Sequence, residues 1–285
     1  GAEDFITYHQ FIRLFHNGKE QALYINTSNA NVLNYLEFYA EKNDGTVDSL
    51  VYDEPENQAN PYYSLFNDTA YYFLVIDLNS SQNLRYESLT SEDAGDYEEL
   101  EYCYKRELRQ FTNKYYTGIV DPEYVSGEGW FGPAFRSGTV QSVQIETPGV
   151  FDGNNLKTSL EFVSVGVPLT SYQSSFPHHL QVEFSDILFD TIFPGYNYVK
   201  KRFEIEDYFS TTFTIDFQIL VNDDGNDGRN AVAYTELVYP RNYEFSGQNQ
   251  VEFILPATEE VLHIEVSGLD NPEQGQVFLY DLTGN

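Results

Sequence analysis

Alternating apolar and polar positions dominate the first third of the chain. Tyr35-Leu36-Glu37-Phe38-Tyr39-Ala40 and Val47-Asp48-Ser49-Leu50-Val51-Tyr52 flank Asn43-Asp44-Gly45. That turn chemistry suits the positive φ of a tight hairpin, so the two runs are expected to pair as a β-hairpin. Phe5 to Phe15 and Gln21 to Ile25 read as two further strands with Asn17-Gly18 as their turn, and Ala70 to Asp77 is a β-branched and aromatic run that reads as another. Asp53 to Pro61, rich in Pro, Asn and Glu, reads as a surface loop.

The period changes once. Between Ser91 and Tyr116 the apolar residues Leu100, Tyr104, Leu108, Phe111 and Tyr115 are spaced by four, four, three and four, which predicts an amphipathic helix. Thr90 or Ser91 is the expected N-cap. Glu92, Asp93, Glu98 and Glu99 toward the start and Lys105, Arg106, Arg109 and Lys114 toward the end complement a helix dipole, with Gly118 as the stop.

Beyond Ser126-Gly127-Glu128-Gly129-Trp130-Phe131-Gly132-Pro133 the period returns to two. Strands are expected at Thr139–Glu146, Ser159–Val167, His179–Phe184, Tyr198–Glu206, Thr211–Val221, Ala231–Tyr239, Gln250–Leu255, Leu262–Val266 and Gln276–Leu282. Phe213, Ile215, Phe217, Ile219 and Val221 share one face of the clearest of them, and Leu220 suggests that this strand is central. Short strands separated by Gly, Pro and Asn indicate an antiparallel, jelly-roll-like sandwich. The expected fold is therefore mainly β: two antiparallel β regions, residues 1–89 and 138–285, the second a jelly-roll-like β-sandwich, joined by one amphipathic helix and a Gly/Trp junction in 90–137.

Composition narrows the function. The chain has 285 residues with Lys+Arg 15 and Asp+Glu 45, a net charge of −30, and such a field repels phosphate backbones and anionic headgroups. Nucleic acid and membrane surfaces are thus not expected partners. Aromatics at 16% argue for folded elements despite the charge. No run of apolar residues is long enough to span a bilayer, and no basic-then-apolar leader opens the sequence. With Met 0, residue 1 is not a translational start, and Gly1 ahead of Ala2-Glu3-Asp4 reads as a protease scar.

Candidate chemistry is sparse. Cys103, the single cysteine, stands between Tyr102 and Tyr104 with no neighbouring group arranged to lower its pKa, and reads as a buried structural thiol. His9, His16, His178, His179 and His263 lack the spacing of a zinc site and read as surface or rim residues. Adjacent His178 and His179 point to opposite faces of a strand and cannot chelate one ion together. Asp223, Asp224 and Asp227 offer oxygen ligands for calcium, but the run Asn222-Asp223-Asp224-Gly225-Asn226-Asp227-Gly228 misses the EF-hand register, and a hairpin turn is the preferred reading. No other cofactor is implied. Trp130 and Phe131 are candidate contact residues, either as a binding loop for sugar or peptide or, preferentially, as an anchor at the junction between the two β regions. With 45 acidic residues, a carboxylate pair for glycoside hydrolysis has no discriminating value. Neither a Gly-x-Ser-x-Gly elbow nor a phosphate-binding Gly-x-x-x-x-Gly-Lys is present.

Several stretches together carry a resemblance. Asn34-Tyr35-Leu36-Glu37-Phe38-Tyr39 with Asn43-Asp44-Gly45 and Asp48-Ser49-Leu50, then Asn60-Pro61-Tyr62 and Ser64-Leu65-Phe66-Asn67-Asp68-Thr69-Ala70-Tyr71-Tyr72-Phe73-Leu74, resemble the N-terminal, non-catalytic part of the gingipain-like cysteine peptidases. That group includes sortase-like surface peptidases of the type IX secretion system of Bacteroidetes. The Gly/Trp segment, Ala233-Tyr234-Thr235-Glu236-Leu237-Val238-Tyr239-Pro240-Arg241 and Phe278-Leu279-Tyr280-Asp281-Leu282-Thr283 extend it over nearly the whole chain.

The resemblance implies a catalytic domain of the same polypeptide as partner, supplying a His and a Cys that have no counterpart here. It also implies export to the surface of a Gram-negative bacterium and a role as pro-segment or chaperone. Asp48-Ser49-Leu50, Asp68-Thr69-Ala70 and Asp190-Thr191-Ile192 look like that phylum's O-glycosylation motif. The alternative is a surface-binding β-sandwich for glycan or protein.

Overall fold

Residues 2–28, 32–79, 83–87, 97–116, 126–167, 177–221, 228–258, 263–270 and 277–283 are described by the computed structural model. They belong to two units, each assembled from separate stretches: Gly1–Asp44 with Asn67–Gly95 and Gln276–Asn285, and Gly45–Phe66 with Asp96–Gly275. The contiguous division drawn from the sequence, 1–89, 90–137 and 138–285, does not have this interleaving.

In the first unit a short helix α1 (Ala2–Thr7) precedes β1 (Ile12–His16), β2 (Lys19–Gln21), β3 (Tyr24–Thr27), β4 (Leu33–Glu37) and β5 (Tyr72–Ile76). The expected strand from Phe5 is therefore confined to its second half. Asn17 and Gly18 both adopt positive φ, 48° and 77°, and turn β1 into β2 as the sequence predicts. Strand β1 is the centre of the sheet β2-β1-β5, and β3 pairs with β4. Ile12, Leu14 and Leu23 form the buried centre, packed by Phe5, Ile25, Leu36, Phe38 and Ile76.

The hairpin expected across Asn43-Asp44-Gly45 does not form. Strand β4 takes β3 as its partner, while Gly45, at φ +102°, opens a 3-10 turn over Thr46–Val51. The Asp48 carboxylate, buried inside this turn, accepts the Leu65 N–H at 2.6 Å. A side chain that satisfies backbone in this way competes with strand pairing, and here it wins.

The second unit contains β6 (Cys103–Gln110), β7 (Lys114–Tyr116), β8 (Gly129–Phe131), β9 (Phe135–Arg136), β10 (Val140–Glu146), β11 (Lys157–Gly166), β12 (Pro177–Phe184), β13 (Ile187–Pro194), β14 (Tyr198–Glu206), β15 (Thr212–Leu220), β16 (Arg229–Arg241), β17 (Glu244–Gln248) and β18 (Ser267–Leu269). One sheet has the order β10-β15-β12-β13; the other has β14-β11-β16, with β6 and β9 both pairing β16. Taken from β9 to β16, the chain crosses between the sheets at every step except the β12–β13 hairpin, the two interlocked Greek keys of a jelly roll. Phe162, Phe217, Phe184, Phe213, Ile215, Ile145, Leu160, Leu180 and Leu237 fill the space between the sheets. Strand β15 is central as expected, although Val221 lies beyond its end and is exposed.

The predicted amphipathic helix is overturned, because Cys103–Gln110 is strand β6, paired antiparallel with β16 from Cys103↔Arg241 to Gln110↔Tyr234. A spacing of four is shared by a helix face and a strand face. Tyr104 and Leu108 are therefore same-side neighbours in either conformation, and the long open edge of β16 decides between them. The proposed capping residues Thr90 and Ser91, the early acids Glu92 and Asp93, and the stop at Gly118 lie outside the described residues. Gln250–Leu255 and the described part of Leu262–Val266 contribute only isolated bridges, Ile254 to Tyr104 and His263 to Glu99. The described part of Gln276–Leu282 is not strand.

Candidate functional site

The five-stranded sheet is covered on both faces. Its inner face meets the sandwich centre, and its outer face carries Val163, Val165, Ala231, Ala233 and Tyr234. This outer face is packed by Phe131 of β8, by Ala59 and Tyr62 of the 45–66 segment, and by Tyr116 and Leu108. Double cover explains why β16 is buried along nearly its whole length.

On that outer face the register sets Glu161 of β11 directly opposite Glu236 of β16. Like charges so placed repel, and each is compensated separately. Glu236 accepts from Arg106 Nε at 2.5 Å and from the Tyr62 hydroxyl at 3.1 Å. Glu161 accepts from the Tyr234 hydroxyl at 2.6 Å and meets Lys200 Nζ at 3.2 Å. The Arg106 guanidinium lies over the Tyr62 ring at 4.8 Å, and the rings of Tyr62 and Tyr234 meet edge to face at 4.9 Å.

Burial, reinforced by the neighbouring carboxylates, holds both phenols above their ordinary pKa, so each stays a proton donor. The result is a closed polar clamp with every charge matched, suited to fixing the 45–66 segment and β6 on the sheet. Sequence reasoning missed this pair because Glu161 and Glu236 become neighbours only through the β11–β16 register.

Trp130 stands in β8 opposite Tyr115, with the rings of Tyr63 and Tyr115 near-perpendicular to it at 6.1 and 5.4 Å. Phe131 is fully buried in the outer-face cluster. The nearby glycine is required sterically: Gly127 adopts φ +79°, and a Cβ there would sit 1.9 Å from the Tyr196 carbonyl oxygen.

Cys103 is fully buried among Tyr243, Phe245 and Leu100, its thiol 3.6 Å from the Arg241 carbonyl. Burial pushes this thiol up to about 11, against the opposing charges of Arg241 and Lys105. It is a poor nucleophile.

The histidines divide. His179 bonds Asp190 across β12 and β13 at 2.9 Å, whereas His178, read from sequence as a rim residue, is 2% exposed and stacks on Phe193. His9 is also buried, its Nδ1 3.0 Å from the Ile6 carbonyl oxygen. Space for the His178 ring comes from Gly166 and Gly228, where a Cβ would approach its nitrogens to 2.8 and 2.9 Å. Asp223, Asp224 and Asp227 lie outside the described residues. Among the described residues no cluster of three or more His, Cys, Asp or Glu side chains has metal-binding proximity, and no helix is long and apolar enough to cross a membrane.

No protein-family model and no curated protein matches the sequence. Among solved structures the chain is similar to dimeric latent PorU from Porphyromonas gingivalis, at 10% identity and a TM-score of 0.48, over 83% of this chain and 22% of that one. It is also similar to the CBM36-1 domain of a multidomain xylanase from the hindgut metagenome of Trinervitermes trinervoides, at 10% identity and TM-score 0.27, over 47% of this chain and 96% of that domain. A third similarity is to β-glucuronidase 2 of Bacteroides uniformis, at 8% identity and TM-score 0.25, over 81% and 26% of the respective chains. The chain spans about a fifth of the length of the PorU chain it matches.

Proposed function

We propose that this chain is a non-catalytic accessory segment of an exported gingipain-like cysteine peptidase, packing as a pro-segment or chaperone on a catalytic domain of the same polypeptide. The observation that carries the reading is the state of its single thiol: Cys103 is buried, and burial holds it protonated. The polar groups most conspicuous on the sheet, Glu161, Glu236, Tyr62, Tyr234, Arg106 and Lys200, are engaged with one another. The sequence resemblance supplies the parent family.

The test mixes the whole chain with the peptidase domain encoded beside it. A stable complex, with peptidase activity lowered or its refolding yield raised, is the expected result. Absence of both binding and any change in activity would end the proposal.

A second reading, a surface-binding module for glycan or protein, is favoured by the jelly-roll topology itself, which leaves one sheet face solvated. A melting temperature raised by calcium and returned by chelator would support this reading, and loss of that rise on replacing Asp223, Asp224 and Asp227 by Asn would assign the ion to them.

A further inference from the structure

Two of the cationic side chains in this acidic protein oppose each other. Strand β9 pairs with β16 through Arg136↔Arg229 and Phe135↔Asn230. Phe135 and Asn230 are buried, Phe135 within the sandwich centre, so the alternation of side chains sends both arginines to the other face of the strand pair. Directly opposed like charges repel.

Among the described residues Arg13 pairs with Glu20 and Asp77, Arg106 with Glu236, Lys157 with Glu204, and Lys200 with Glu161. Arg85 and Arg241 donate to backbone carbonyls. Arg136 and Arg229 are not among these ion pairs, and the Arg229 charge acts on the Tyr116 phenol, opposing in part the rise that burial causes there. Arg109, exposed on β6, is likewise outside these ion pairs and stands apart from the β9–β16 pair.

Both arginines line a cleft of about 330 Å³ together with Ala134, Phe135, Thr139 and Gln141. Two guanidinium forks on the lining of one cleft offer donors in the number and charge that the two oxygens of one carboxylate or sulfate take. Thr139 and Gln141 on the same lining carry uncharged groups of the kind that bind sugar hydroxyls, with the Gln141 Nε2 donating to the Ser142 carbonyl at 3.4 Å. The net charge of −30 works against polyanions and leaves a ligand with a single charge favoured. We propose that this cleft binds one oxyanion group on a small hydroxylated molecule, with the carboxylate of an acidic sugar as the matching class. The inference rests on the sandwich geometry and stands independently of the accessory role.

The test is calorimetric titration of the whole chain with galacturonate, galactose and inorganic sulfate at constant ionic strength, alongside thermal melts. Saturable binding of galacturonate and none of galactose is expected, weakened at least about tenfold in Arg136→Gln and in Arg229→Gln and unchanged in Arg109→Gln. Because each substitution relieves repulsion, the unliganded variants should melt at or above the parent temperature. Sulfate binding alone would overturn the sugar-acid assignment. Equal binding of galactose, no saturable binding of any ligand, or unchanged affinity in both arginine variants would overturn the site. Melting of both variants below the parent would mark the arginines as structural and remove the argument.

Discussion

The reactivity of Cys103 tests the non-catalytic reading most directly. The thiol is fully buried, and burial moves its pKa from 9.0 to about 11. At pH 8 that leaves roughly one thiolate in a thousand, against about one in ten for an unperturbed thiol, a hundredfold deficit before any steric barrier is counted. Alkylation by iodoacetamide, followed by intact mass, should therefore run at least about a hundredfold slower in the folded chain than in denaturant at the same pH. Replacing Cys103 by Ala removes one buried sulfur and a weak contact to the Arg241 carbonyl, which should cost about 1 kcal/mol in urea unfolding, comparable to deleting one buried methyl group. A folded-state rate within a few-fold of the unfolded rate would refute the argument, because it would require an ionised, accessible thiol.

Two further outcomes follow from the second unit. His178 is neutral in the fold, its pKa lowered chiefly by burial, with the Gly195 backbone and Asn230 side chain opposing the shift only in part. Its folded pKa therefore lies below the unfolded value near 6.5, so unfolding takes up a proton and stability is lost as pH falls below about 6.5. Urea midpoints at pH 7.5 and pH 5 should show a drop that shrinks in His178→Gln; an equal drop in the variant would assign it to other groups. Phe217→Ala should cost about 3–5 kcal/mol, since this fully buried ring meets Phe162 edge to face at 5.3 Å, and a loss below about 1 kcal/mol would mean that the sandwich centre is not packed as described.

Legibility in the sequence followed how local the physics was. Strands β10, β11, β12, β14, β15 and β16 were visible because alternation alone places their side chains, and β14 was anticipated residue for residue at Tyr198–Glu206. Strand β13 was missed because its turn from β12 is made by Ser185 and Asp186, with Ser185 rather than Gly or Asn taking the positive φ of 50°. Strand β6 was misread because spacings of four fit both periods, and its conformation is set by β16, far away in sequence. The same remoteness hid the Glu161–Glu236 pair and the Arg136–Arg229 pair, each created by strand register. The burial of Cys103 was read correctly, while that of His178 was not, since only the assembled fold brings Gly166 and Gly228 against its ring.

The 45–66 segment has a consequence for anyone shortening this chain. It leaves the first unit in sequence, lends Ala59 and Tyr62 to the outer face of the five-stranded sheet, and returns. A fragment starting after residue 96 would keep every strand of the jelly roll yet bare part of the strip formed by Val163, Val165, Ala231 and Ala233. Such a fragment would be a sticky, self-associating species, and its precipitation would report the missing lid and not a failure of the sandwich to fold.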